Sequence, residues 1–109
     1  MKLRVTLLWM YTLVFIFLST GNSVAESDGE EFLGLLNNKS TIEVARAHVD
    51  DVWRKWNGTL FCITVEGAEE TSQVALSAVK LYLEDNPSEL FRPRRYLIIQ
   101  GLREGFACN

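Results

Sequence analysis

Residues 40–56 read STIEVARAHVDDVWRKW, and this segment carries the clearest structural signal in the chain. Ser40 followed by Glu43 matches a capping box, in which the two side chains bond free backbone N–H groups at a helix start. The pattern predicts an amphipathic helix from Ser40 to just before Gly58. Its apolar side chains recur every three or four positions and so share one helix face: Ile42, Ala45, Val49, Val52, Trp53 and Trp56.

The helical pattern extends upstream of this segment. Residues 30–36 offer enough apolar side chains for two helical turns, before Asn37-Asn38-Lys39 interrupts them. Residues 26–29 are small and acidic, which predicts a frayed terminus.

Downstream, residues 59–65 contain apolar side chains that could form a short strand. One strand without a partner does not make a sheet, so we expect a buried connector anchored by Cys62. Thr71 or Ser72 can cap the next helix, with Glu69 and Glu70 near its positive end. Its buried stripe is expected to contain Val74, Ala75, Ala78, Val79, Tyr82 and Leu83.

The remaining residues predict a final helix. Asn86-Pro87 stops the preceding helix, residues 88–91 can form one turn, and Pro93 suits the first position of a new helix. Together these patterns predict an all-α fold: a small antiparallel bundle of four or five helices with one disulfide. The inward face of the last helix is expected to contain Arg95, Ile98, Ile99, Leu102 and Phe106.

The first 25 residues differ in composition from the rest of the chain. They hold two of the 11 basic residues and none of the 14 acidic ones, and a predominantly apolar run without charged residues extends from Leu7 to Leu18. This run is well below the roughly 20 residues that a membrane-spanning helix needs, so a signal peptide is preferred over an anchor. We predict cleavage after Ala25, which leaves residues 26–109 as one exported helical domain without a membrane anchor.

The exported domain would contain two cysteines, Cys62 and Cys108. In an oxidising compartment such a pair tends to form a disulfide. Closing this loop would stabilise the domain by roughly 4 kcal/mol in the loop-entropy model. A metal site, which would need carboxylate ligands beside the single histidine, and a reactive thiol are the competing interpretations.

Charge and residue content narrow the function classes. Residues 26–109 carry a net charge of −5, with no basic stripe, so nucleic acid is not an expected partner. The only histidine is His48, in the middle of the second helix, and a Cys–His hydrolase would need a reduced thiol near it. We therefore predict no catalytic residues, no metal site and no cofactor, and a protein that is not an enzyme.

A series of short motifs in the second half of the chain resembles a known family. The motifs are Gly58-Thr59-Leu60-Phe61-Cys62, Thr71-Ser72-Gln73-Val74, Val79-Lys80-Leu81-Tyr82-Leu83, Asn86-Pro87-Ser88-Glu89-Leu90 and Gly101-Leu102-Arg103-Glu104-Gly105-Phe106-Ala107-Cys108. Their order is similar to that of the Tai/Rap immunity proteins, over about half of the chain. The Cys-x-Gly-Tyr-x-x-Gly segment that is common in that family is replaced here by residues 45–51.

The resemblance implies a periplasmic immunity protein that binds a type VI secretion peptidoglycan amidase effector and occludes its active-site cleft. It also implies a homodimer. Two loops are candidates for the effector-binding residues: the first contains Glu66, Glu69 and Glu70, and the second contains Asp85, Asn86, Ser88 and Glu89.

Other interpretations of these features stay open. Both loops could simply turn the chain, the first as a solvated connector and the second as a helix stop. A secreted helical carrier of a small apolar ligand, or a periplasmic accessory protein, is the alternative function.

Overall fold

Four α-helices and one short 3-10 turn form the regular structure of residues 28–109, the part of the chain that this computed structural model describes. The predicted signal peptide and its cleavage site lie outside these residues. Within the described part there is no β-strand, only an isolated bridge between Asn57 and Phe61. The all-α prediction is confirmed. The elements are α1 (Asp28–Leu36), α2 (Ile42–Trp56), α3 (Ala68–Asp85), the 3-10 turn (Pro87–Glu89) and α4 (Arg94–Gly105).

The apolar faces of the four helices meet in one core. Each fully buried large apolar side chain contributes about 1.5–3 kcal/mol relative to an exposed one. The periodicity of α2 is confirmed, since Ala45, Val49 and Val52 are buried, while Trp53 and Trp56 are partly buried and pack against the core. The largest fully buried side chains are Phe32, Phe61, Leu83, Leu97, Ile98, Leu102, Val49 and Val79.

The predicted capping box at the start of α2 is wrong. The helix begins at Ile42 and its N-cap is Thr41, with no side-chain capping bond. Ser40 instead lies in the preceding turn, where its backbone N–H and its hydroxyl both donate to Asn38 Oδ1, at 3.0 and 2.8 Å. The asparagine side chain holds Ser40 in the turn and so shifts the helix start toward the C-terminus.

The start of α3 also differs from the prediction. It begins at Ala68, after Gly67, whose φ of 92° is a conformation that favours glycine. Thr71 and Ser72 do not cap the helix but are buried inside it. Thr71 Oγ1 donates to Gly67 O at 2.7 Å, which ties this side chain to the helix start. The buried face of α3 also contains Leu76, which the sequence prediction did not include; Leu76 lies one turn after Ser72 and one turn before Val79, both of which are buried.

The predicted fraying at residues 28 and 29 is wrong, because long-range hydrogen bonds fix both residues. The N–H of Gly29 donates to Leu90 O at 2.8 Å. Asp28 Oδ2 accepts the backbone N–H of Arg94 at 2.7 Å, and Asp28 Oδ1 accepts Arg94 Nε at 2.9 Å. Asp28, which lies 66 positions earlier in the chain, therefore caps the N-terminus of α4. The N-cap residue itself, Pro93, supplies no side-chain hydrogen bond.

The helix after Pro93 has a different inward face from the predicted one. Leu97 is completely buried and Arg95 is exposed, because the buried face of α4 contains Leu97, Ile98, Gly101 and Leu102. Ile98 and Leu102 are buried as expected.

The predicted disulfide between Cys62 and Cys108 is confirmed, with a Cα–Cα distance of 5.0 Å. It joins the connector between α2 and α3 to the residues after α4. A hydrogen bond of 2.7 Å from Cys62 N to Phe106 O reinforces this junction. Both thiols are consumed, so neither the metal site nor the reactive thiol is available. Among residues 28–109, no helix combines the length and apolarity needed to cross a bilayer.

Candidate functional site

The structure places the two predicted loops at opposite ends of α3. Glu66, Glu69 and Glu70 lie at or before its first turn, and Asp85, Asn86, Ser88 and Glu89 lie at or beyond its last. An α-helix of this length spans about 27 Å. The seven residues therefore do not form one site, and each loop belongs to a different groove.

The first loop borders a groove between α2 and α3. Glu69 lines it together with Glu43, Arg46, Asp50 and Arg54 from α2. One ion pair lies within this set, because Arg46 Nε is 3.3 Å from Glu43 Oε2. Asp50 Oδ1 accepts the indole N–H of Trp53 at 2.8 Å, and Arg54 stacks over the Trp53 ring. We call this the α2/α3 groove; its mixed charges leave little to attract a partner of one sign.

The second loop is held rigidly. Asn86 Nδ2 donates to Tyr82 O at 2.8 Å and so satisfies a carbonyl in the last turn of α3. Beyond the 3-10 turn, Arg92 Nε donates to Glu89 Oε2 at 2.7 Å. Ser88 is exposed at the tip of this turn.

Two exposed aromatic rings flank the second loop. The Arg92 guanidinium lies 5.0 Å from the ring centre of Phe91 and 4.9 Å from that of Tyr96, within the range of cation–π attraction. Phe91 remains 51% exposed and Tyr96 38% exposed. We call Phe91, Arg92 and Tyr96 the aromatic–arginine cluster; these residue types are enriched at the energetic centres of protein interfaces.

A second groove, the α3/α4 groove, has a volume of about 370 Å³ and contains part of this loop. The bottom of the groove is formed by three small residues, Ala78, Gly101 and Gly105. A Cβ on Gly101 would lie 3.1 Å from Val79 Cα, so the glycine permits the close approach of the two helices. Ala78 faces Gly105 and Tyr82 faces Gly101, so the two helices run antiparallel. The lining residues are Ala78, Leu81, Tyr82, Asp85, Asn86, Gly101, Glu104 and Gly105.

The charge of the α3/α4 groove has one sign. Its two ionisable carboxylates, Asp85 and Glu104, come from different helices, and neither forms an ion pair with any residue of the described part, 28–109. Burial, followed by the negative charges of Glu89 and Glu104, raises the pKa of Tyr82. Tyr82 therefore keeps its phenol proton at neutral pH and lies within the field of Glu89 and Glu104.

The last turn of α3 adds to this negative potential. It carries Glu84 and Asp85 and no basic residue, although the C-terminal end of a helix is its negative end. Leu81, one turn earlier, is 60% exposed on the rim of the groove.

Sequence reasoning missed part of this arrangement. It did not assign Glu104, Tyr82 or Tyr96 to the site, because their proximity to the second loop depends on how α4 packs against α3. The small residues at 101 and 105, one helical turn apart, are the signal that indicates where the two helices come close.

Other chemistry has little support in the described part of the chain. No group of three or more histidine, cysteine, aspartate or glutamate side chains within residues 28–109 could hold a metal ion. His48 is exposed on α2 and contacts Phe32 edge-on, with ring centres 6.0 Å apart.

The chain was also compared with known proteins. No family model, no curated protein and no solved structure matches it.

Proposed function

We propose that this chain is a periplasmic immunity protein that binds a type VI secretion peptidoglycan amidase effector and occludes its active-site cleft. The resemblance of the sequence motifs to those of the Tai/Rap immunity proteins gives this proposal its partner. The observation that carries it is the surface at the C-terminal end of α3, where a fixed turn, the exposed aromatic–arginine cluster and an acidic groove lie together.

Occlusion requires a rigid protrusion more than a reactive group. A scaffold that is already ordered loses less conformational entropy on binding. The disulfide fixes the end of α4, and the hydrogen bonds of Asn86 and Glu89 fix the second loop. The negative potential of the α3/α4 groove would speed association with an amidase whose cleft has a basic rim. A homodimer, as the resemblance implies, would present two such surfaces.

The carrier alternative fits this surface less well. An apolar ligand is usually enclosed by apolar side chains, whereas the α3/α4 groove is open and has carboxylates on its rim. Native mass spectrometry of the purified protein tests the carrier function through co-purifying lipid.

The experiment that tests the proposed function is co-expression of the exported protein with candidate secreted amidases, followed by affinity capture and an assay of peptidoglycan cleavage. We expect micromolar or tighter binding and loss of amidase activity. If no amidase is captured or inhibited, the proposed function is wrong.

Matched double variants then identify the binding end of α3. Asp85→Lys with Glu89→Lys should weaken amidase binding by at least about 30-fold, because charge reversal at an interface typically costs 2 kcal/mol or more. Glu69→Lys with Glu70→Lys makes the same charge change at the other end and should weaken binding less than threefold. The reverse order would assign the first loop to the interface.

A further inference from the structure

We propose that the α3/α4 groove receives an arginine side chain from the partner protein. The inference rests on the proposed function only for the identity of that partner. It is carried by three properties of the groove: its shape, its charge and its aromatic neighbours.

The shape suits one long side chain. The groove volume of about 370 Å³ lies at the low end of the range for ligand clefts. The alkyl part of an arginine side chain would lie over the apolar floor formed by Ala78 and Gly101, beside the exposed Leu81. Long basic side chains commonly cover apolar surface in this way while their charged ends reach polar groups.

The charge selects a cation. Asp85 on α3 and Glu104 on α4 both line the groove, and no basic residue does. The α2/α3 groove provides the contrast, because there two arginines accompany the carboxylates and Arg46 pairs with Glu43. Of these two grooves, only the α3/α4 groove is lined by carboxylates without any basic residue.

The neighbouring residues favour a guanidinium over an ammonium group. Arg92 is already held nearby by two aromatic rings and the carboxylate of Glu89, so this surface provides the contacts that guanidinium groups prefer. Glu89 offsets the charge of Arg92, which reduces its repulsion of a second cation. A planar guanidinium has five N–H donors and can bond carboxylates on two helices at once, whereas an ammonium acts as a compact charge.

The test is an NMR titration of the full exported protein with N-acetyl-arginine-N-methylamide. The neutral citrulline analogue and N-acetyl-lysine-N-methylamide serve as reference probes. We expect saturable, millimolar binding of the arginine probe, with shifts concentrated at the amides of Leu81, Asp85, Gly101 and Gly105. The lysine probe should bind at least threefold more weakly, and the citrulline probe should cause no saturable shift.

The variant Asp85→Asn with Glu104→Gln should weaken the arginine probe at least tenfold. The control, Glu66→Gln with Glu69→Gln, removes the same two charges at the other end of α3 and should leave binding unchanged. Amide spectra of both variants establish that the fold is intact, which is expected because all four side chains are exposed.

Shifts that do not saturate, that persist in the Asp85/Glu104 variant or that are stronger with the lysine probe would overturn the inference. These results are separable from the proposed function. Amidase capture without binding of the arginine probe would support the proposed inhibitor function and reject the arginine site. Probe binding at the groove without capture of any amidase would support the groove and reject the amidase as partner.

Discussion

The two ends of α3 carry similar acidic pairs in opposite electrostatic settings. Glu69 and Glu70 lie in its first turn, where the helix dipole is positive. Glu84 and Asp85 lie in its last turn, where the dipole is negative and no basic residue compensates. The first pair stabilises the helix, whereas the second destabilises it.

This difference bears on which end of α3 is the better candidate for the proposed binding surface. Helix stability alone explains the acids of the first loop, so their presence needs no partner. The same argument fails for Glu84 and Asp85, which lie near a groove and two exposed aromatic rings. The proposed binding surface therefore lies at the C-terminal end of α3, and the predictions below test how the rest of the fold supports that end.

Removal of the disulfide should have the largest effect on the stability of the fold that supports the C-terminal end of α3. The variant Cys62→Ser with Cys108→Ser frees a loop with a sequence separation of 46 and should lower the free energy of unfolding by about 4 kcal/mol. Hydrogen exchange should accelerate more in the last turn of α4, beside the α3/α4 groove, than in α2. Equal acceleration of exchange in α2 and α4 would contradict the expectation that the disulfide mainly stabilises the end of α4.

A methyl group at position 29 should disturb the support of the second loop. The Cβ of Gly29→Ala would clash with the backbone of Leu90, which follows the 3-10 turn. We expect a loss of about 2–3 kcal/mol, the upper range for overpacking, measured by urea denaturation.

Gly34→Ala is the matched control in the same helix. Its Cβ would meet no atom within 4 Å, so it should stabilise the protein by about 0.5–1 kcal/mol through helix propensity. Equal signs for the two substitutions would disprove the packing argument.

The contact between Asp28 and α4 should be visible in the pH dependence of stability. Partial burial acts to raise the pKa of Asp28, but the hydrogen bonds and positive charge of Arg94 outweigh it and hold the pKa below its ordinary value of 3.8. As the pH falls below 3.8, the unfolded state binds the proton first, so the stabilising contribution of Asp28 is lost as the pH falls through the folded-state pKa.

The variant Asp28→Asn should therefore lower Tm at pH 7 and approach the wild type as the pH falls through the folded-state pKa of Asp28. The side chain is 38% exposed, and solvent screening limits the difference at pH 7 to about 1 kcal/mol or less. Glu30→Gln, which removes an exposed acid from the same helix turn but no contact with Arg94, is the control and should lower Tm at pH 7 by less than Asp28→Asn does. A constant difference between Asp28→Asn and wild type at all pH values would contradict the proposed role of the carboxylate.

The smallest expected effect comes from removing a single charge at either end of α3, and it tests the electrostatic difference between the two ends most directly. Asp85→Asn should raise the free energy of unfolding by a few tenths of a kcal/mol, and Glu69→Gln should lower it by a similar amount, because each removes one charge from an opposite end of the dipole. Paired urea denaturation at low ionic strength measures both. Added salt should shrink both changes, and identical signs would remove the electrostatic basis of the assignment.

Periodicity predicted the helices well because it reflects which residues share a face. The buried side of α2 follows directly from its spacing of apolar residues. Helix starts were harder to predict, because two side chains form hydrogen bonds other than the expected caps. Ser40 donates to the side chain of Asn38, and the hydroxyl of Thr71 donates to the carbonyl of Gly67. The cap of α4 was not predictable locally, because its acceptor lies 66 residues earlier.

The sequence predicted individual candidate residues but not how they are grouped. The two loops were recognised from their polar residues and turn signals, and their placement at opposite ends of one helix followed from the predicted helix start and stop. The groove that each loop borders could not be predicted in the same way. The pairing of Asp85 with Glu104 across a groove requires the contact between α3 and α4, which local patterns do not encode.

The bond between Asp28 and Arg94 has a consequence for how the protein is made. An acceptor and a donor so far apart in sequence cannot meet until the 65 residues between them have been synthesised. The contact also closes a long loop, which costs chain entropy. The cap of α4 therefore belongs to the late, long-range steps of folding, whereas the turns of each helix can form from local contacts.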